Sequence, residues 1–366
     1  MYQITVARAK AFYRKYERTI SPVAFAAGFV WDNITLQRID LLYENLTFAW
    51  NLVLALAVIA VINAYEVGYL RNRFTNRYVT FLPILLQFSF GGLFSAFIVF
   101  YVRSGSLWVS WPFLLFLTLL FVGNDFFRKR YLRLTFQLSI FFIALFTYSV
   151  FVLPVLVGKM GTGVFLASGV LALLVTALIL LAFMRFMPGR LERNKKALLL
   201  SIGGMYLAFQ LMYFANIIPP IPLSLKESGM YHSIELTSEE GYLYEVQFEP
   251  APWYFFKEAS DTLHVEPGAK VYHYNAVFAP TRINTTISHR WLYFSEQKDE
   301  WVQISLLPFP IAGGRDGGYR GYSFISNAAP GKWRVDVVTG RGQVLGRRMF
   351  TVIAADQPPQ LETGFR

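Results

Sequence analysis

The hydrophobic pattern changes period once along this chain. Up to Ile217, apolar runs long enough to cross a bilayer alternate with short basic segments. Beyond it, short alternating stretches are separated by Gly, Pro and Asn. The first pattern predicts membrane helices over Leu46 to Tyr65, Val79 to Tyr101, Trp108 to Val122, Leu134 to Val157, Gly163 to Phe183 and Ala197 to Ile217. The last of these stops at the breaker Pro219-Pro220-Ile221-Pro222. Upstream, residues 1–19 read as a basic amphipathic segment suited to an anionic membrane surface, with Arg8, Lys10, Arg14, Lys15 and Arg18 among aromatic residues. The apolar stretch Ile20 to Trp31 reaches only about 18 Å as a helix, short of the ~30 Å hydrocarbon core. It either crosses with help from Asn33 to Gln37 or lies in the interface.

The second pattern predicts strands over Ser233 to Thr237, Tyr242 to Phe248, Thr262 to Val265, Val271 to Ala279, Thr286 to Phe294, Trp301 to Leu306, Tyr322 to Ser326, Trp333 to Thr339 and Leu345 to Ile353. Trp333, Val335 and Val337 alternate with Arg334 and Asp336, as in a strand with one buried face. The expected fold is therefore an α-helical transmembrane bundle of about seven helices, the first one short, followed by an all-β immunoglobulin-like sandwich. The expected domains are 1–19, the bundle over 20–217, a linker over 218–232, the sandwich over 233–355 and a flexible tail over 356–366.

Composition supports the membrane assignment: 55% of the 366 residues are hydrophobic, 17% aromatic and only 16% charged. The net charge of +11 suggests a nucleic-acid partner until it is divided along the chain. From Ile218 onward there are 14 Lys and Arg against 16 Asp and Glu, so the excess sits between the membrane spans and no nucleic-acid partner is expected. With the first segment crossing, the loops of one side hold 17 Lys and Arg and those of the other hold only Arg38, Arg103 and Lys159. That asymmetry predicts a cytoplasmic N-terminus, seven crossings and an outer β domain. With the first segment in the interface, the later loops still place that domain outside. Cysteine is absent, which rules out disulfides, thiolate metal sites and cysteine nucleophiles. No cleavable signal peptide is expected, because no small-residue cleavage site follows an apolar core near the start.

Candidate chemistry is sparse. The six clear spans contain no Asp, Glu, His, Lys or Arg, which argues against proton-coupled transport and intramembrane hydrolysis. Their amides, among them Asn63, Gln137 and Gln210, are expected to bond between helices, and Gly91-Gly92 and Gly203-Gly204 to allow close helix contact. At the outer interface, Asp32, Arg38, Asp40 and Glu44 form a dense charge group. It reads either as a mouth for a lipid headgroup or partner, or as a helix cap at Asp32 with Arg38 neutralising Asp40 and Glu44. Gly158 to Gly163 lacks the Lys-Ser/Thr ending of a phosphate loop and reads as a helix hairpin. The four histidines, His232, His264, His273 and His289, show no metal-ligand spacing, so no metal or cofactor is expected, and His289 reads as a packed strand position. No nucleophile elbow or paired-carboxylate motif points to catalysis. Arg315 and Arg320, with Asp316 between them in a Gly-rich loop, suit carboxylate or phosphate groups, or else an internal Arg–Asp pair in a long turn.

Ser288-His289-Arg290-Trp291, Trp301 to Leu306, Gly313 to Ser323, Pro330 to Val337 and Gly342 to Gly346 together resemble a bacterial domain family of unknown function. The resemblance covers about the last eighty residues, and Trp31 to Asp40 is similar to the head of the membrane region associated with it. It implies a Gram-negative-type inner-membrane protein with a periplasmic sandwich, and no activity. Two functions are left. The first is a scaffold or sensor whose sandwich recognises an envelope protein or glycan, with membrane lipids around the bundle. The second is a transporter or enzyme for a lipid-linked substrate, with the Asp32 to Glu44 group at its mouth.

Overall fold

The computed structural model describes residues 29–36, 40–70, 79–126, 130–237, 243–251, 258–315, 317–356 and 360–366. Residues 1–28, with the basic segment and most of the short apolar stretch, lie outside the described residues, as do Arg38 and Asp316. The chain divides into two compact units.

The first unit comprises Met1–Tyr101, Pro112–Val152 and Phe165–Leu211, and its described elements are helical. Six helices are named here in order: α1 (Leu42–Val67), α2 (Leu82–Ser104), α3 (Leu107–Phe126), α4 (Leu134–Val157), α5 (Thr162–Phe186) and α6 (Pro188–Phe214). All but α3 are long and apolar enough to cross a membrane by length and composition; the apolar stretch of α3, Leu107–Gly123, is shorter. Helix ends follow local rules. Gly68 closes α1 in the left-handed conformation at φ 100°, and Pro188 opens α6 where a missing N–H costs nothing. Because α6 begins at Pro188, the basic residues Arg190, Arg193, Lys195 and Lys196 lie on helix, where a loop was expected. Arg190 pairs there with Glu66 of α1.

One expected amide contact forms. Asn63 of α1 donates to Gln137 Oε1 of α4 at 2.6 Å, both side chains fully buried. The glycine expectation is corrected: a Cβ on Gly92, Gly203 or Gly204 would meet nothing within 4 Å. The close approach lies at Gly169 of α5, where a Cβ would come within 2.9 Å of Tyr206 and 3.0 Å of Phe146.

The second unit comprises Val102–Trp111, Leu153–Val164 and Met212–Arg366. Its described residues form eleven strands: β1 (Ser224–Tyr231), β2 (Ser233–Thr237), β3 (Leu243–Phe248), β4 (Thr262–Val265), β5 (Lys270–Phe278), β6 (Asn284–Ser295), β7 (Glu300–Ala312), β8 (Tyr319–Ser326), β9 (Gly331–Thr339), β10 (Val344–Ala354) and β11 (Glu362–Phe365). They form three sheets, ordered β1-β5-β8, β4-β10-β9-β6-β7 and β11-β3-β2. Pairing is antiparallel except between β4 and β10.

The sheet β1-β5-β8 is the middle layer, and β5 shows why. Val271 and Val277 enter the cores shared with Trp291, Trp333, Val335, Val337 and Leu345 of the large sheet. Tyr274 and Ala276 enter a separate core with Ile234, Val246 and Phe248 of the small sheet. A strand buried on both faces loses the alternation that marks a half-exposed one. In the large sheet the apolar–polar alternation of β9 is kept: Trp333, Val335 and Val337 are buried as expected, with Arg334 and Asp336 on the opposite face, where Asp336 too is buried, beneath arginines.

Three expectations need correction. Residues 218–232, taken as a linker, contain β1, and residues 356–366, taken as a tail, contain β11. Strand β7 runs on through Pro308 and Pro310 to Ala312, six residues past Leu306. It tolerates both prolines because it is an edge strand, where a missing N–H breaks no ladder bond on the outer side.

The helix ends in this unit join the β-rich part. Ser106, between α2 and α3, donates its backbone N–H to Val344 O at 3.2 Å, and Gln343 Nε2 reaches Ile218 O at 3.1 Å. From the β9–β10 turn, Arg341 donates to Thr162 Oγ1 (2.8 Å), Tyr213 O (3.1 Å) and Asn216 Oδ1 (3.3 Å). Its guanidinium also sits over the Tyr213 and Phe214 rings, at 4.0 and 4.9 Å.

Between the middle and large sheets lies a polar cluster. His273 and His289 are fully buried with ring centroids 4.4 Å apart. Ser323 Oγ contacts His289 Nδ1 at 2.7 Å and accepts from Trp291 Nε1 at 3.0 Å, and Ser228 Oγ lies 3.0 Å from His273 Nε2. Burial depresses the His289 pKa from 6.5 to about 3, and burial, then His289 and Arg348, push His273 well below its ordinary value. The unfolded chain therefore binds more protons than the fold below pH ~6.5. Their contribution to stability is whole above that pH and declines toward pH 3, by up to about 1.4 kcal/mol per pH unit per histidine. The urea midpoint of the β-rich unit, followed by amide exchange in β6 and β9, should drop steeply between pH 7 and pH 5. In a His273→Gln/His289→Gln double variant that slope should flatten, and an equal slope would show that other groups set it.

Candidate functional site

The face of the middle sheet turned toward β3 carries three cross-strand rows. Register aligns Glu227, Ala276 and Arg320, then Gly229, Tyr274 and Tyr322, then Tyr231, Tyr272 and Phe324, across β1, β5 and β8. Tyr244 of β3 packs over the middle row, 5.9 Å from Tyr274 and 5.6 Å from Tyr322 between ring centroids. Tyr272 lies 6.2 Å from Tyr322 and 5.4 Å from Phe324. These separations suit edge-to-face and offset aromatic pairs.

The small sheet covers only part of this face. Over β1 and β5, Tyr231 and Tyr274 are buried and Tyr272 is partly buried. Over β8, an edge strand, Tyr322 and Phe324 remain 43% and 41% exposed. The result is an aromatic shelf, open at β8, with Lys270 Nζ 4.6 Å above the Phe324 ring.

A charge group closes its upper end. Glu227 Oε1 lies 2.7 Å from Arg366 Nε, and the same guanidinium donates to Tyr231 Oη at 3.1 Å and pairs with Glu258. Burial raises the Glu227 pKa, against the opposing pull of Arg366 and Arg320. Burial likewise raises that of Tyr244, with Arg320 and Arg315 drawing it back. Both arginines singled out in the sequence therefore act on one phenol at this shelf.

The Gly-rich loop is fixed at its start, since Gly313 N–H donates to Ile283 O at 3.0 Å and Gly314 N–H to Ala279 O at 3.1 Å. The Arg315 guanidinium lies 5.5 Å from the Tyr319 ring centroid. In the helical unit, Asp32 sits within a helical stretch over residues 29–35 and accepts from Ser95 Oγ at 2.5 Å, so it does not cap a helix starting at Asn33. Asp40 occupies the turn before α1, and Glu44 is buried in the first turn of α1. Arg38 and Asp316 lie outside the described residues.

Two histidines share a carboxylate. Glu249 Oε1 is 2.9 Å from His232 Nε2, and Glu249 Oε2 is 2.8 Å from His264 Nδ1. No group of three or more His, Asp and Glu among the described residues is arranged to hold a metal ion.

Sequence reasoning found Arg320 and missed the rings beside it. Their signal is the spacing Tyr272/Tyr274 and Arg320/Tyr322/Phe324, which puts them on one face once β5 and β8 are known to pair. Chemically the shelf offers two partly exposed rings, Tyr322 and Phe324, with a guanidinium and a carboxylate to orient a polar ligand.

A family model described as "Protein of unknown function (DUF2914)" matches residues 284–352, from β6 to β10. No curated protein matches the chain. Among solved structures, the Pseudomonas fluorescens alkylpurine DNA glycosylase AlkC bound to DNA containing an abasic site analog aligns over 86% of this chain and 99% of its own. Identity there is 10% and the TM-score 0.20, so no argument rests on it.

The loop geometry is testable at two glycines. A Cβ at Gly313 would lie 1.8 Å from Pro280 O, whereas one at Gly317 meets nothing within 4 Å. Gly313→Ala should destabilise the β-rich unit by about 2–4 kcal/mol in urea titration and Gly317→Ala by under about 0.5. Equal midpoints for the two variants would show the loop free to shift.

Proposed function

We propose that the protein is a multi-pass bacterial inner-membrane protein that mounts an immunoglobulin-like β module outside the cytoplasm and recognises an envelope glycan or protein through the β8 shelf. The observation that carries this reading is the Arg341 contact set within the second unit, which fixes the β9–β10 turn to the ends of α5 and α6. A turn held in this way is fixed to the helix ends of its own unit. Five apolar helices and the match to a family of unknown function are compatible with it. The charge asymmetry of the connecting segments supports seven crossings with the N-terminus inside. The shelf supports recognition of a sugar, because exposed tyrosine and phenylalanine faces stack on pyranose C–H groups while Arg320 and Glu227 orient hydroxyls.

A second reading, transport or processing of a lipid-linked substrate, draws on buried Glu44 and on the Asp32–Ser95 contact within the helical unit.

The absence of cysteine allows a direct test of sidedness. Lys298→Cys in the β6–β7 turn should react with a membrane-impermeant maleimide in intact spheroplasts, and Lys195→Cys only after lysis. The reverse pattern would place the module in the cytoplasm. For recognition, full-length protein in neutral detergent should co-sediment with purified peptidoglycan sacculi. Arg320→Ala and Tyr322→Ala should each reduce the bound fraction at least fivefold at unchanged urea midpoint, and undiminished binding by both would remove the shelf from the proposal.

A further inference from the structure

The outward face of the large sheet carries a second charged constellation, formed on different strands. Asp336 of β9 is fully buried, with Arg290 of β6 and Arg347 of β10 directly across from it in register. Arg347 grips it with two bonds, Nε to Oδ1 at 2.7 Å and Nη2 to Oδ2 at 3.1 Å, and Arg290 Nη2 reaches Oδ2 at 2.9 Å. Arg334, two residues along β9 on the same face, has its Nε 3.4 Å from Oδ1. Three guanidinium charges thus converge on one carboxylate charge.

Two of them, Arg347 and Arg290, make all the side-chain hydrogen bonds to the carboxylate among the described residues. The Arg334 side chain makes no hydrogen bond to any described residue, although it is only 14% exposed, and its buried Nε has just the long ion pair to Asp336 Oδ1. Its guanidinium lies 4.8 Å from the Trp301 ring centroid. A guanidinium taken largely out of water without acceptors loses hydration that stacking on a ring restores only in part. Burial lowers the Arg334 pKa, Asp336 opposes that, and Arg347 and Arg290 add to the lowering. The cross-strand neighbours of Arg334 are Met349 on β10, half exposed, and Leu292 on β6, buried, beyond which Gln303 of β7 is exposed. Lys332, one step further along β9, lies 5.7 Å over the Phe294 ring and adds another cation to the face.

We propose that this face binds a phosphate-type oxyanion, held by Arg334 with Arg290 and Arg347 and supplied by a soluble phosphate ester or by a phospholipid headgroup. The dianion of a phosphate monoester matches the two positive charges left over by Asp336 and the phosphodiester monoanion of a lipid headgroup offsets one of them, and either accepts from several guanidinium N–H groups at once. Asp336 then positions Arg290 and Arg347 beneath the anion and limits how tightly it is held.

The test is calorimetric titration of the full chain in a neutral maltoside detergent with glycerol phosphate and, separately, with dihexanoyl phosphatidylglycerol. Saturable binding of at least one is expected, weakened tenfold or more by Arg334→Gln and unchanged by Lys298→Gln. Tighter binding of glycerol phosphate assigns a soluble ester, and tighter binding of the lipid assigns a headgroup. Asp336→Asn should bind more tightly, because it removes the competing anion; should that variant fail to fold, Arg334→Gln decides alone. Absence of saturable binding of both compounds, or equal affinity in Arg334→Gln, overturns the proposal.

Discussion

One guanidinium organises the second unit. Arg341 donates to a threonine hydroxyl, a backbone carbonyl and an asparagine oxygen, and its plane rests on two aromatic rings. Charge-assisted bonds of this kind contribute roughly 1.5–3 kcal/mol each when partly shielded from water. The acceptors are chemically apt: Tyr213 O belongs to the last turn of α6, where carbonyls lack helical partners and a cation is favoured. Without this contact, the β9–β10 turn would have only neutral bonds and apolar packing to hold it to the helix ends. Arg341 therefore supplies the charged part of the contact between the β9–β10 turn and the helix ends of the same unit.

The middle sheet imposes a second constraint. Because β5 is buried on both faces, its Val271 and Val277 side and its Tyr274 and Ala276 side must be packed at once. The consequences appear at the free edge. Strand β8 is covered on one side by the large sheet, while the small sheet leaves Tyr322 and Phe324 partly open. The shelf is thus a by-product of a third layer too narrow to cover the second, and apolar rings that would otherwise be sealed are left available to a ligand. The same layering traps His273 and His289 in a place where neither can be hydrated.

Much of the architecture was legible from hydrophobic period alone. Apolar runs marked the helices, and Trp333, Val335 and Val337 gave away a half-buried strand, because each element there faces one environment. What stayed hidden depended on partners distant in sequence. Strand β1 alternates poorly, with Glu227 and Gly229 in its middle, because it lies in the middle sheet. Strand β11 is four residues long and is held by pairing to β3. The strand expected to end at Leu306 continues through Pro308 and Pro310 because its outer edge needs no donors. Arg320 was chosen for its chemistry, but its setting required the pairing of β5 with β8. Arg334 and Asp336 were read only as the polar half of an alternation, and their convergence with Arg290 and Arg347 needed the β6-β9-β10 register.

The most direct measurement of the central claim is the distance between the β9–β10 turn and the α4–α5 connection. With no native cysteine to interfere, spin labels on Lys159→Cys and Gly340→Cys, both exposed positions of the second unit, report it by pulsed electron resonance. A single narrow distribution is expected in the otherwise unaltered chain, broadening when Arg341→Gln is added. A broad distribution that Arg341→Gln leaves unchanged would contradict the account, because the β module would then be tethered to the helix ends and not mounted on them.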